Sequence, residues 1–262
     1  MEQGINRYLD WFQNFARGFM QGSPEDDKNI MIKIDHSLRV LDNARKITRS
    51  IDPDHSLTLL CHLAALFHDV GRFPQYTRFR TFNDRISANH ARLSVDVLRE
   101  VDILSELSSE HRRLILGAIF LHNRRTVPYG LGSDLNLMAR IIRDADKLDI
   151  FPVMLSHLEP GSPRNGVVTL NLKPHPTAYT EKILHDVQSR KLGKYEEMVW
   201  INDLKLLQCS WVYDLNFPVS RRMVLELGYI ERTLDLLPEE PEFMALRAQL
   251  GADLADEAGT SH

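Results

Sequence analysis

Residues 57–71 read LTLLCHLAALFHDVG. Wound at 3.6 residues per turn, this stretch is apolar on nearly every side, and a helix of that kind is normally central in a core. It ends on His68-Asp69, an imidazole and a carboxylate, and Gly71 follows as a C-cap residue. Asp52-Pro53-Asp54 interrupts the chain upstream. Before that break, residues 30–48 (IMIKIDHSLRVLDNARKIT) set Ile30, Ile34, Leu38 and Leu41 on one face of another helix. Residues 5–20 carry Ile5, Leu9, Phe12, Ala16 and Phe19 at helical spacing, and GSPEDDKN (22–29) reads as a turn with helix-start signals.

Downstream, residues 72–87 (RFPQYTRFRTFNDRIS) read as a loop, basic and aromatic. Helices are expected at 87–101 and 107–121, then from about 134 to 158 with Pro152 inside, a site for a kink. Residues 159–177, rich in Pro, Gly and Asn, contain VVTLNL (167–172), the candidate strand pair. Further helices are expected at 178–191, 195–214 and 218–236, ending at Pro238 and Pro241. The last dozen residues, GADLADEAGTSH, read as a disordered, frayed tail over about 251–262. Helix following helix predicts an all-α bundle, a single domain over 1–262. Its core spans about 30–150, with a C-terminal helical extension over about 178–236.

A length of 262 residues, 43% apolar and 26% charged, suits a soluble globular protein. The net charge of -4 leaves no basic footprint for duplex nucleic acid. Cys61 and Cys209 form no CxxC pair, so neither a thiolate zinc site nor a disulfide framework is expected. MEQGINRYLDWF lacks the form of a signal peptide, and the longest apolar stretch, 57–67, is too short to span a bilayer. The expected setting is the cytoplasm, without a membrane partner.

Eleven histidines are the unusual number. With this composition about one His-Asp pair arises by chance, and the chain supplies its own control in His185-Asp186. Context separates the two dyads. His68-Asp69 ends an apolar helix, follows His36 and precedes His90, His122 and the Asp146 of DADKLD; His185-Asp186 has no such company and reads as a solvated helix face. Mixed imidazole and carboxylate ligands suit a divalent cation such as Mn²⁺, Mg²⁺ or Fe²⁺. His68 and Asp69 would bind beside the helix end, joined by His36 and Asp146, and His90 and His122 are natural ligands of a second ion. Two such ions would hold a bridging hydroxide, with Asp69 spanning both.

HSLRVLDNARKI (36–47), AALFHDVGR (64–72) and RDADKLD (143–149), in that order, resemble the HD-domain superfamily of metal-dependent phosphohydrolases. The resemblance is specific over roughly 30–150. It implies an all-α fold of five or more helices, divalent metal (Mn, Mg, Fe, Ni or Zn, one or two ions per chain), and His36, His68, Asp69 and Asp146 as ligands. His90 and His122 resemble the extra histidines of the two-metal members. In DADKLD the family's ligand is Asp146 rather than Asp144 or Asp149. Many catalytic members carry lysine after the dyad's glycine, where this chain has Arg72; arginine keeps the charge and forks bidentately onto phosphate, but is a poor proton donor.

Cations cluster by the ligands in sequence: Arg39 after His36, Arg72 after His68, Arg124 and Arg125 after His122, and Lys147 after Asp146. They fit oxyanion stabilisation, and equally fit ordinary solvated residues. Asp69, with Arg39, Arg72 and Lys147, forms the expected catalytic set. Arg78-Phe79-Arg80-Thr81-Phe82 interleaves bases and aromatics in a way that suits a nucleotide, or simply packs. His62 reads as a hydrogen-bonded core histidine. The leading expectation is hydrolysis of a phosphate ester, of a nucleotide or small phosphorylated metabolite, by a metal-activated hydroxide. An HD-type di-iron oxygenase and a non-catalytic nucleotide-sensing module are the alternatives, and a homodimer is compatible with the sequence.

Overall fold

Apolar stripes at helical spacing, broken by Pro, Gly and capping residues, give an all-α chain. The computed structural model describes residues 2–159, 161–162, 166 and 168–259. No strand occurs among the described residues, and an isolated parallel bridge joins Lys173 to Trp200. The chain divides into two units, residues 1–149 and 150–262.

In the first unit, α1 (Glu2–Arg17) buries Ile5, Tyr8, Phe12 and Ala16. Next, α2 (Pro24–Ile51) opens on Pro24 with Glu25, Asp26 and Asp27 in its first turn, where negative charge suits the helix dipole. The segment read as a turn is therefore mostly helix. Asp52, in the left-handed region at φ 45°, closes α2 ahead of Pro53. The Asp54 side chain caps α3 (His55–Phe67) by accepting from the Leu57 N–H at 3.0 Å. Every residue from Leu60 to Val70 is buried, the central position expected of an all-round apolar helix.

Two expectations need correction here. Residues 72–79, read as loop, form α4 (Arg72–Phe79), with Phe73, Gln75 and Tyr76 buried. Pro74 lies in the first turn, where its missing N–H breaks no helical hydrogen bond. Gly71 is not a left-handed C-cap either: at φ -68° it precedes α4. Its role is close approach, because a Cβ there would lie 2.4 Å from the Ser94 backbone nitrogen and 2.6 Å from the His90 carbonyl oxygen. Both belong to α5 (His90–Glu100), capped by Asn89. After it come α6 (Ser109–Leu121), capped by Ser108, and α7 (Ser133–Leu158), which continues through Pro152.

The second unit contains α8 (Glu181–Gln188), α9 (Ile201–Ser210), α10 (Pro218–Glu226), α11 (Tyr229–Asp235) and α12 (Pro241–Gly259). The expected strand pair is absent among the described residues of 167–172. Leu170 and Asn171 have φ of 54° and 53°, in a turn that no strand accommodates. Gly228, at φ 62°, divides the single helix expected over 218–236. Residues 251–259, read as a frayed tail, extend α12. Leu246, Leu250 and Leu254 bury one stripe of it, and Asp253 pairs with Arg190 at 2.9 Å. Residues 260–262 lie outside the described residues. On α8 His185 is exposed, as a solvated face requires, whereas the Asp186 side chain is only 16% exposed. Among the described residues no helix is long and apolar enough to cross a membrane.

His62, buried on α3, meets the Thr48 hydroxyl at 2.9 Å, the hydrogen-bonded core histidine expected. Burial, then Arg45 and Arg49, push its pKa down to about 4. An unfolded histidine titrates near ~6.5, so between those values the unfolded chain takes up a proton that the folded one refuses. The stability contributed by neutral His62 is complete above that unfolded value and drains away as pH falls towards 4, by about 2–3 kcal/mol. Denaturant titrations of wild type and His62→Leu at several pH values check this: their stability difference narrows on acidification by that amount, whereas a constant difference contradicts it.

Candidate metal centre

Four histidines of the first unit present the same edge to a common point. His68 and His122 are the residues that close α3 and α6. Each returns its Nδ1–H to the carbonyl three residues back, Ala65 at 2.8 Å and Ile119 at 2.6 Å. A carbonyl only accepts, so Nδ1 carries the hydrogen and Nε2 keeps its lone pair when the ring is neutral. His36 on α2 and His90 at the start of α5 achieve the same with carboxylates, His36 Nδ1 to Asp149 at 2.7 Å and His90 Nδ1 to Asp84 at 2.6 Å. His36 and then Arg39 lead in holding Asp149 ionised against burial, while His90 and Arg72 do so for Asp84; both carboxyls sit below the usual range.

The four bare Nε2 atoms then converge. His36 and His68 approach to 3.3 Å, and His90 and His122 to 3.0 Å. Asp146 Oδ1 is 3.1 Å from His36 Nε2 and 3.7 Å from His68 Nε2. Asp69 lies between the groups: Oδ2 is 3.5 Å from His36 Nε2 and 3.8 Å from His68 Nε2, whereas Oδ1 is 3.5 Å from His90 Nε2. Two donors each about 2.1 Å from one cation lie roughly 3.0–3.4 Å apart across angles of 90–109°. The observed separations are in that range or slightly above it.

These residues fit a divalent metal. Asp69 Oδ1 is buried without a hydrogen-bond partner, and facing lone pairs on paired imidazoles repel unless a cation lies beside them. Among the described residues, two sets have ligand atoms all within 4.8 Å of one another and could hold an ion, His36–His68–Asp146 and His68–Asp69–His122. Before any metal binds, the electrostatics favour ionised carboxylates and a neutral His122, and at His36 they favour a proton that a metal would have to displace. Burial, and then Lys33, oppose a charge on His36, yet Asp146 and Asp149 outweigh them and raise its pKa. Burial opposes charge on Asp69 and Asp146 too. Lys33, His68 and Arg72 lead in holding Asp69 well below the usual carboxylate range, and His36 and His68 do so for Asp146. Burial, then His90 and His68, push His122 down to about 3, leaving its ring neutral as a ligand must be.

The cations expected from sequence are placed differently from one another. Arg72 turns Nη1 onto the Phe82 carbonyl, Gln75 and Asp84, with its Nε 3.4 Å from Asp69 Oδ1. Arg39 forks onto Asp149 through Nε and Nη2, so its contact is with the carboxylate behind His36. Lys147 is half-buried beside Asp146, whose side chain is 21% exposed and marks the open edge of the site. Arg124 and Arg125 are exposed, Arg124 lying over the Phe120 ring. Sequence reasoning missed Asp84, Asp149, Lys33 and Arg143. Buried Arg143 donates to the carbonyls of His122, Arg124 and Arg125, fixing the turn after α6. Lys33, one turn before His36, bonds Asp69 Oδ2 at 2.8 Å.

The helical scaffold thus gathers imidazoles and carboxylates from five segments into a cluster that could hold a divalent ion. The family model of the HD domain matches residues 34–150. Neither the curated proteins nor the solved structures give a match to the chain.

Proposed function

We propose that the protein is a phosphohydrolase that cleaves the phosphate ester of a nucleotide or other small phosphorylated metabolite. The observation that carries this reading is the Asp69 carboxylate set between two groups of bare imidazole nitrogens, one oxygen towards each. His36, His68, Asp69 and Asp146 would hold one ion, and Asp69, His90 and His122 a second. A divalent metal there supplies Lewis-acid polarisation and makes water nucleophilic near neutral pH.

The chain's own groups prepare the rest. Asp149 and Asp84 fix the tautomers of His36 and His90, so no ring must turn on binding. Burial strips away bulk water and strengthens every charge interaction in the site. Arg72, with its Nε 3.4 Å from Asp69 Oδ1, and Lys147, next to Asp146 in the chain, would add positive charge for phosphoryl oxygens. In the overall reaction water oxygen bonds to phosphorus, the ester P–O bond breaks, and the alcohol leaves with a proton.

The test begins by stripping the protein of metal. It is then reloaded with Mn²⁺, Mg²⁺, Fe²⁺, Ni²⁺ or Zn²⁺ in turn and given an aryl phosphate, a bis-aryl phosphate and a nucleotide panel. Ester cleavage with at least one ion, abolished by EDTA, is the expected result. Silence across the whole panel from well-metallated protein sinks the reading, and oxygen uptake by the iron form replaces it with an oxygenase.

A further inference from the structure

We propose that Lys33 is the residue that binds the substrate's phosphate, and that it selects a terminal, doubly charged phosphomonoester; this rests on the phosphohydrolase reading above. Other cations flank the ligands, with different commitments. Arg39 is committed to Asp149. Arg72 spends Nη1 on Phe82, Gln75 and Asp84, which ties α4 to the segment leading into α5.

Lys33 differs in placement. Its ammonium lies 2.8 Å from the Asp69 oxygen that faces His36 and His68, at the reacting centre rather than behind it. The side chain is 16% exposed, so it is partly accessible without being free in solvent. Its nitrogen sits 5.2 Å above the Phe82 ring, and the Arg72 guanidinium is 5.9 Å from the same ring, so an aromatic face holds the ammonium in place. An ammonium has three donors, and among the described residues Asp69 is its hydrogen-bond partner. Two N–H groups are therefore available to an oxyanion arriving at the open edge by Asp146. A lysine acts on phosphate as a point charge, and a monoester dianion brings twice the charge of a diester, so the attraction favours the monoester.

The experiment measures binding of inorganic phosphate to Mn²⁺-loaded wild type, Lys33→Met and Lys33→Arg by calorimetry, with metal content determined for each. Hydrolysis of an aryl phosphate and a bis-aryl phosphate is followed in parallel. Expected is at least a ~10-fold weaker phosphate affinity in Lys33→Met, unchanged Mn²⁺ content, substantial recovery in Lys33→Arg, and a larger loss of kcat/KM on the monoester than on the diester. Unchanged phosphate affinity in Lys33→Met overturns the assignment, and so does a fall in its Mn²⁺ content, which would make Lys33 a support for Asp69. Wild type that neither binds phosphate nor hydrolyses either ester overturns the phosphohydrolase reading itself, before any variant is compared.

Discussion

Asp69→Ala is expected to lose ester hydrolysis by on the order of 1000-fold or more and to bind less metal than wild type, while its helical circular dichroism is retained. The size follows from position. Asp69 lies against both groups of imidazoles, one oxygen towards each, so its removal would weaken two candidate ion positions at once. The fold survives because the apolar residues on either side, Phe67 and Val70, remain buried. Asp69→Asn sharpens the test, since it keeps the shape and removes the charge that Lys33 and Arg72 face. Elemental analysis beside phosphate release decides the matter: full activity in either variant would remove Asp69 from the mechanism.

Gly71→Ala is expected to be the most disruptive single-methyl change in the first unit. Added at Gly71, a Cβ meets backbone atoms of Ser94 and His90 at 2.4 and 2.6 Å, and backbone cannot rotate aside as a side chain does. The first turn of α5 must move, at a cost of about 3 kcal/mol or more. That corresponds to a fall of roughly 6–12 °C in Tm. The displacement also carries His90 away from His122, so metal binding weakens together with stability. Thermal unfolding with and without Mn²⁺ is the measurement, and a variant that melts with wild type and keeps its metal response contradicts the close packing at this position.

Much of the site is legible in sequence because metal chemistry restricts residue type. The dyad ends an apolar helix, and His36, His90, His122 and Asp146 follow a recognisable order, whereas His185-Asp186 has no such neighbours. The supporting groups are not legible in that way, since any aspartate or lysine can serve and only the tertiary contact selects it. Asp149 illustrates this. DADKLD offers three aspartates, and choosing Asp146 as the ligand candidate sets Asp149 aside. Both lie on α7 one turn apart, and both reach His36, Asp146 at Nε2 and Asp149 at Nδ1. The fold shows the same division. Long apolar stripes reveal α2, α3 and α6, while Pro74 and the basic composition of 72–87 conceal α4, and the small and acidic residues after 250 conceal the end of α12.

The two ways of anchoring imidazoles bear on how this scaffold can diverge. His68 and His122 lean on main-chain oxygens of their own helices, an attachment that survives almost any exchange of neighbouring side chains. His36 and His90 lean on Asp149 and Asp84, and each of those carboxylates can be replaced while every ligand stays in place. Half of the imidazole donors are thus fixed by geometry, and half have an electron-donating strength that one substitution adjusts. A lineage can therefore retune its preference among cations at positions 84 and 149 and leave the ligands themselves untouched.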